Sequence, residues 1–226
     1  MRVAALYDIH GNLPALEAVL ADPRCSSADI IVCGGDLCAG PMPVEVLELM
    51  RLRDTLFVRG NADRELTGWP AEGFADEELE LFRAWPTSLS LDVDGLGPVV
   101  FCHGTPRSDS EILTRLTPDE AIDEACGGVP VAVGGHTHVQ FDRVAGRTRF
   151  VNAGSVGMPY EGRTAAFWAL LGPDIELVAT PYDVDAALSA IRATGYPGTD
   201  DLVETLLSPH SGDEASEYFE SLRGGA

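Results

Sequence analysis

The segment Val3-Ala4-Ala5-Leu6-Tyr7-Asp8-Ile9-His10-Gly11-Asn12 sets the pattern of the fold. The apolar run at residues 3–7 predicts a short buried strand. A polar loop containing a glycine follows the strand. Asn12 is a suitable cap for a helix that has Pro14 in its first turn. The segment therefore predicts a strand, a loop and a helix in that order.

The same order returns along the chain, once in full and once as a strand and a loop. Residues 30–33 predict a strand that ends at Gly34-Gly35-Asp36, and residues 44–52 predict the amphipathic helix that follows. A third strand at residues 56–58 ends just before Gly60-Asn61-Ala62-Asp63. Repeated units of this kind indicate an α/β sheet with right-handed crossovers. We expect functional groups at the carboxyl ends of its strands.

The second half of the chain favours antiparallel strands. Apolar runs at 89–93 and 99–102 flank an Asp94-Gly95 turn and indicate a hairpin. Further strands are predicted at 129–133, 141–144, 148–151, 164–171 and 175–180. Further helices are predicted at 77–85, 118–126, 184–194 and 202–207. We expect one domain, residues 1–208, and then a polar tail or loose helix at 209–226.

Composition excludes several classes of partner. The 226 residues include 36 acidic and 15 basic side chains, which gives a formal net charge of −21. Such a surface repels nucleic-acid backbones and anionic lipids, so we expect no nucleic-acid polymer and no membrane as partner. The apolar runs are too short for a membrane span or a signal peptide. An odd number of cysteines without a Cys-x-x-Cys pair predicts a reducing compartment, the cytoplasm.

Seven side chains suited to binding metals share one place in the pattern, since each lies after a predicted strand in a glycine-rich loop. They are Asp8, His10, Asp36, Asn61, His103, His136 and His138. Residues two apart in an extended segment face the same way, so Asp8 and His10 can address one ion. Carboxylates, imidazoles and an amide oxygen at one edge of a sheet predict a site for divalent cations.

These residues belong to five short motifs in a fixed order. The motifs are Asp8-x-His10, Gly35-Asp36, Gly60-Asn61-x-Asp63, His103-Gly104 and Gly135-His136-x-His138. The set resembles that of the calcineurin-like metallophosphoesterases. The later segment Asn152-Ala153-Gly154-Ser155-Val156-Gly157 resembles one that small bacterial members carry. The resemblance implies an α/β fold in which two mixed sheets form a sandwich flanked by helices, in the order α/β/β/α.

The resemblance also implies a centre of two divalent transition-metal ions. Manganese is the metal we expect, and the family also uses iron, zinc or nickel. Asp36 would bridge the two ions. The other implied ligands are Asp8, His10 and His138 for one ion, and Asn61, His103 and His136 for the other.

The reaction implied is hydrolysis of a small phosphoester, and we expect a phosphodiester, through in-line attack by a hydroxide that bridges the metals. The expected catalytic residues are Asp36 and Asp63, of which Asp63 would orient a metal-bound histidine. Asn61 and Arg64 are expected to contact the substrate. Many family members carry a histidine where this chain has Ala62, so we assign no general acid and expect a preference for good leaving groups.

Two other functions fit parts of the sequence. The fold could serve a non-catalytic binding or scaffold protein, although all seven ligand positions keep competent residue types. A serine esterase would use Ser155, whose surroundings nearly match Gly-x-Ser-x-Gly. The first glycine of that motif is absent, and the segment lies between predicted antiparallel strands. A metal chelator would abolish a two-metal activity and spare a serine esterase.

Overall fold

The computed structural model describes residues 1–223. The strands in this part of the chain are β1 (Val3–Leu6), β2 (Ile30–Cys33), β3 (Thr55–Phe57), β4 (Ser88–Val93), β5 (Gly97–Cys102), β6 (Val131–Gly134), β7 (Phe141–Ala145), β8 (Thr148–Asn152), β9 (Ala166–Leu171) and β10 (Ile175–Thr180). The helices are α1 (Leu13–Ala21), α2 (Pro23–Ser26), α3 (Pro43–Arg51), α4 (Asn61–Arg64), α5 (Asp76–Arg83), α6 (Asp119–Ala125), α7 (Val184–Thr194), α8 (Thr199–Leu207) and α9 (Gly212–Leu222). Among the described residues, none of these helices combines the length and the apolar character needed to cross a bilayer.

The strands form two mixed sheets of five. The first sheet has the order β10-β9-β1-β2-β3, with β1, β2 and β3 parallel and β9 antiparallel to both of its neighbours. The second has the order β4-β5-β6-β8-β7, with β5, β6 and β8 parallel and β4 and β7 antiparallel at its edges. The two mixed sheets confirm the expected fold class.

Side-chain alternation along β1 separates the two main parts of the core. Val3 and Ala5 are fully buried between the sheets, in one cluster with Phe101 of β5. Ala4 and Leu6 point to the opposite face, where they pack with residues of α1 and α3. A separate cluster joins α6 to the outer face of the second sheet. The layers are therefore helix, sheet, sheet and helix.

The predicted strands are all present, with ends that differ by at most two residues. Two helices of a single turn, α2 and α4, were not predicted. Four residues are too few to show a helical repeat of apolar positions, so neither helix has a signal in the sequence pattern. Helix α8 begins three residues before its predicted start, because its first turn is polar.

The C-terminal segment, residues 209–226, contains α9. Ser211 caps this helix by accepting a hydrogen bond from the backbone N–H of the third helical residue. The Glu220 carboxylate accepts hydrogen bonds from the hydroxyls of Thr114 and Thr117, both at 2.8 Å. These bonds hold α9 against the loop that follows β5.

Candidate metal centre

The carboxyl ends of the parallel strands in both sheets meet at one edge of the sandwich, and all seven predicted metal-binding residues lie there. The first sheet contributes Asp8, His10, Asp36 and Asn61, and the second contributes His103, His136 and His138. Parallel strands place their carboxyl-terminal loops side by side, which is why residues far apart in sequence become neighbours.

Asp8, His10 and His138 form one compact group. The Nε2 atom of His138 lies 3.2 Å from Asp8 Oδ1 and 3.3 Å from His10 Nε2. One ligand atom from each of the three residues lies within 4.8 Å of the other two. This group is the ligand set that the resemblance implied for one ion.

Asp8, Asp36 and His103 form a second compact group. The Nε2 atom of His103 lies 3.4 Å from Asp36 Oδ2 and 3.7 Å from Asp8 Oδ1. The same Asp36 oxygen lies 3.8 Å from His10 Nε2, so this carboxylate stands between the two groups. Asp8 belongs to both groups, whereas the resemblance assigned it to one ion only.

His136 and Asn61 complete the set at its margin. The ring of His136 lies beside that of His103, with 5.2 Å between centroids, and outside the two compact groups. Its backbone N–H donates to Asp8 Oδ2 at 2.9 Å. Asn61 opens α4, and its side-chain oxygen is buried.

Three buried atoms of this cluster have no hydrogen-bond partner within residues 1–223. They are Asp8 Oδ1, Asn61 Oδ1 and His103 Nε2. A buried polar atom without a partner costs about 1–3 kcal/mol. All three are ligand atoms of the kind that transition-metal ions bind, so the residues present fit a metal centre.

Comparison with known protein families identifies the domain that contains these residues. The model of the calcineurin-like phosphoesterase superfamily domain matches residues 1–171. The chain belongs to this superfamily. Residues 172–223, which include β10, α7, α8 and α9, lie beyond the matched domain.

Relatives of similar length support the assignment. An uncharacterized protein of Methanocaldococcus jannaschii is 29% identical over 230 residues, covering 86% of this chain and 93% of its own. A metallophosphoesterase from Sphaerobacter thermophilus is 26% identical, with a TM-score of 0.74, and the match covers 92% of this chain and 99% of that one. The phosphoesterase YfcE from E. coli is 25% identical, with a TM-score of 0.53 and coverage of 79% and 93%.

Backbone carbonyls orient three imidazoles of the phosphoesterase domain. Each ring places Nδ1 beside a carbonyl oxygen, at 3.2 Å for His10, 2.9 Å for His103 and 2.6 Å for His138. A proton on Nδ1 makes these hydrogen bonds and leaves the Nε2 lone pair directed at the carboxylates. The three rings are thereby prepared to bind a metal through Nε2.

A left-handed backbone conformation occurs at several of the predicted metal ligands. Five non-glycine residues have positive φ among residues 1–223, and all five are predicted metal ligands. They are Asp8 (52°), His10 (46°), Asp36 (54°), His136 (66°) and His138 (57°). Left-handed backbone costs a non-glycine residue about 1–3 kcal/mol and is concentrated at functional sites. At these five positions, the strained backbone directs side chains from tight loops towards the metal centre.

Two glycines permit close approach to the carboxylates. A Cβ atom at Gly60 would lie 2.1 Å from Asp36 Oδ1, and one at Gly135 would lie 2.4 Å from Asp8 Oδ2. Any larger residue would displace a predicted ligand. The glycines of these two motifs therefore have a steric role in the site.

Asp63 supports the cluster through the backbone. Its buried carboxylate accepts hydrogen bonds from the backbone N–H groups of Asp36, Leu37 and Gly60, at 2.8, 3.0 and 2.9 Å. We expected this residue to orient a metal-bound histidine, but its hydrogen bonds go to backbone amides. Burial and the Asp36 charge raise the pKa of Asp63 to about 6.

Arg64 and Ala62 are partly buried residues of α4. The Arg64 guanidinium donates to Asp109 Oδ2 at 3.1 Å and to Ser110 Oγ at 3.2 Å, and its side chain is 40% exposed. Ala62 donates its backbone N–H to Asp36 Oδ1 at 2.8 Å. Its methyl group offers no proton donor to a leaving group.

Opposing electrostatic effects act on the carboxylates and imidazoles. Burial alone would raise the pKa of Asp8 and of Asp36, but nearby histidine charges outweigh burial and lower both. For His103, burial acts downward, but Asp36 and Asp8 raise the pKa to about 10. Burial and the His103 charge lower the pKa of His136 to about 4. Protons and metal ions therefore compete for this cluster.

Asn152, the last residue of β8, and Ser155, three residues later, are buried and brace the loops of the phosphoesterase domain. Ser155 Oγ donates to the Asp8 carbonyl at 2.8 Å and accepts from the Met158 N–H at 2.8 Å. Asn152 Nδ2 donates to the Gly135 carbonyl at 2.6 Å. The sequence did not indicate a supporting role for either residue. The resemblance of residues 152–157 to a segment of small bacterial family members was the feature that could have revealed it. Ser155 is fully buried with both bonds made, which is the environment of a structural hydroxyl.

Proposed function

We propose that this member of the superfamily is a phosphodiesterase that uses two metal ions and acts on a small phosphoester. Family membership supports phosphoester hydrolysis in general. The observation that carries the finer proposal is the position of the Asp36 carboxylate, between His10 at 3.8 Å and His103 at 3.4 Å. One carboxylate between two imidazole-containing groups is the arrangement that a pair of cations requires.

We assign the ligands as the resemblance implied, with Asp36 shared and Asp8 adjacent to both positions. The ligands are Asp8, His10, Asp36, Asn61, His103, His136 and His138. Manganese is the proposed metal, because imidazole-rich sites favour such ions over calcium. When bound, two such ions polarise a phosphoryl oxygen and lower the pKa of a water molecule, which supplies the nucleophile.

The chain itself contributes orientation. The carbonyl partners of three Nδ1 atoms fix the rings before substrate arrives, so little reorganisation is needed during the reaction. Asp63 fixes the backbone of Asp36 and of Gly60. Arg64 shares helix α4 with Asn61, its side chain is 40% exposed, and we assign it to contact with the phosphate. Asn61 would contact the substrate from inside the cleft.

The test is an activity screen of phosphomonoesters and phosphodiesters. The purified protein is supplied in turn with manganese, magnesium, zinc and nickel, and metal content is measured in the same samples. We expect turnover of diesters with manganese, loss of activity with a chelator and recovery when manganese returns. Two tightly bound ions without turnover of any ester would favour the scaffold alternative. Activity that survives chelation would favour a serine esterase.

Leaving-group dependence tests the role of Ala62. A series of methyl aryl phosphates with phenols of graded pKa varies only the departing group. Without a proton donor at this position, the rate constant should fall steeply as the pKa of the phenol rises. A flat response would show that another group protonates the leaving oxygen.

We also propose that the protein acts in the cytoplasm. The five cysteines, all in the described part of the chain, are free and buried. Thiols that stay reduced are typical of a reducing compartment.

A further inference from the structure

A cavity of about 490 Å³ lies beside the metal centre and outside the site described above. Three of its lining residues are aromatic, Tyr160, Tyr218 and Phe219, and His210 adds an imidazole ring. Pockets of about 300–1,000 Å³ lined mainly by aromatic and apolar side chains are the usual sites for small organic ligands.

Tyr160 connects this cavity to the metal centre. Its ring stacks on that of the predicted ligand His138, with centroids 5.0 Å apart and an angle of 15° between the planes. The same ring lies 6.2 Å from the Phe219 ring and 6.3 Å from the His210 ring, measured between centroids. The cavity therefore begins one ring away from the metal-binding imidazole.

Helix α9 holds the aromatic wall in place. Besides the Glu220 bonds to Thr114 and Thr117, Asp213 pairs with Arg115 at 3.0 Å, and the His210 carbonyl accepts from the Gly162 N–H at 2.8 Å. Helix α9 and the residues just before it are thus tied to the loops that follow β5 and β8. A wall fixed in advance lowers the entropic cost of binding a ligand.

The Tyr218 side chain is not part of the packed face of α9. It is 62% exposed, whereas the buried face of α9 is formed by Ala215 and Ser216. Among residues 1–223, no lysine or arginine lines the cavity, and the one carboxylate there, Glu214, is hydrogen-bonded to Ser211. A second negatively charged group would find no partner there, whereas an uncharged planar ring would find aromatic faces.

We propose that this cavity binds an uncharged planar aromatic group of the substrate, such as a nucleobase or a simple aryl ring, while the phosphate lies at the metal centre. The inference rests on the proposed phosphoesterase function and names the substrate class of the same site. Tyr160, Tyr218 and Phe219 determine specificity by stacking. Since three of the four rings follow residue 171, this subsite is an addition to the family domain.

Binding measurements on the manganese-loaded full chain test the proposal with two matched pairs of ligands. AMP carries a nucleobase at the sugar carbon where ribose 5-phosphate carries a hydroxyl. Benzylphosphonate and cyclohexylmethylphosphonate differ only in whether the ring is aromatic. Each is titrated calorimetrically into the wild type, Tyr218→Ala, the double variant Tyr218→Ala/Phe219→Ala, and the control Glu217→Ala. Phosphate release is followed in the same samples.

We expect the wild type and Glu217→Ala to bind the aromatic member of at least one pair about tenfold more tightly. The AMP pair identifies a nucleobase site and the phosphonate pair an aryl site. The double variant should bind both members of a pair equally, with unchanged affinity for ribose 5-phosphate. Tyr218→Ala alone, at an exposed position, should lose part of the preference even if the double variant folds poorly.

Equal affinities in both pairs for the wild type would overturn the proposal, as would a preference that survives in the double variant. Sedimentation of the same samples tests a second copy as occupant. A wild-type dimer that dissociates in Tyr218→Ala would also overturn it. Turnover of bis(p-nitrophenyl) phosphate, measured separately, distinguishes the two proposals. Turnover without ring preference removes only this inference, and ring preference without turnover removes only the proposed function.

Discussion

The Asp63 carboxylate accepts a hydrogen bond from the backbone N–H of Asp36 at 2.8 Å. The same oxygen accepts from the Gly60 N–H at 2.9 Å, and the other oxygen from the Leu37 N–H at 3.0 Å. One buried side chain therefore joins the loop after β2 to the loop after β3. Asp36 can hold its left-handed conformation, with φ of 54°, because these bonds compensate for the strain.

Replacement of Asp63 should loosen the metal centre. Asp63→Ala leaves three buried N–H groups without an acceptor, so we expect a loss of about 3 kcal/mol or more in the free energy of unfolding. Asp63→Asn keeps one acceptor oxygen and should lose less. Urea denaturation measures stability, and elemental analysis measures bound manganese, which should fall in the same order. Asp92→Asn, on an exposed residue, is the control. Wild-type stability and metal content in Asp63→Ala would contradict this role.

Asp36→Asn should weaken retention of both ions. The amide removes the negative charge that lies between His10 and His103, while it keeps the size of the side chain. We expect manganese content to fall from about two ions to one or fewer, and turnover to fall by about 100-fold or more. Asp54→Asn, an exposed carboxylate away from the cleft, should behave as the wild type. Two tightly held ions in Asp36→Asn would contradict the shared position.

Ser155→Ala should reduce stability more than it reduces activity. The substitution leaves the Asp8 carbonyl and the Met158 N–H unpaired in a buried place, which costs about 1–3 kcal/mol. Thermal unfolding measures this cost, with the exposed Ser90→Ala as the matched control. Turnover should remain within about tenfold of the wild type once the metals are saturating. Complete loss of activity with metals retained would instead support a serine nucleophile.

Asp22 should make stability depend on acid pH. Hydrogen bonds from Arg24, with a further one from Thr180, outweigh burial and hold the pKa of this carboxyl well below its ordinary value. Because the unfolded chain has a pKa of about 3.9, the extra stability is complete above about pH 5 and is lost as the pH falls towards the folded-state pKa.

Asp22→Asn should therefore lower the free energy of unfolding by about 1 kcal/mol at pH 7, since the partner Arg24 is partly exposed and screened. The difference from the wild type should shrink below pH 4. Asp92→Asn should show no such pH-dependent difference. A constant difference from pH 7 to pH 3 would show that the lost stability does not come from ionisation of Asp22.

Much of the fold was predictable because local pattern and tertiary packing agree. The apolar run before Asp8 is buried on both faces of a central strand, so a continuous run marks it. Helix α7 was predicted with its observed bounds because its apolar positions repeat with helical period between a cap at Asp183 and the left-handed Gly195. Helices α2 and α4 contain one turn each, which no periodic pattern can show.

The sequence by itself determined the residue types of the metal centre and the strand ends on which they lie. A ligand must be a carboxylate, an imidazole or an amide, and such groups directly after apolar runs are visible in one dimension. Only the tertiary structure decided that Asp8 stands in both ligand groups, that Asp63 bonds backbone amides, and that α9 brings Tyr218 and Phe219 to Tyr160. Those relationships depend on distances between segments far apart in the chain, which are set by how the two sheets pack and not by any local preference.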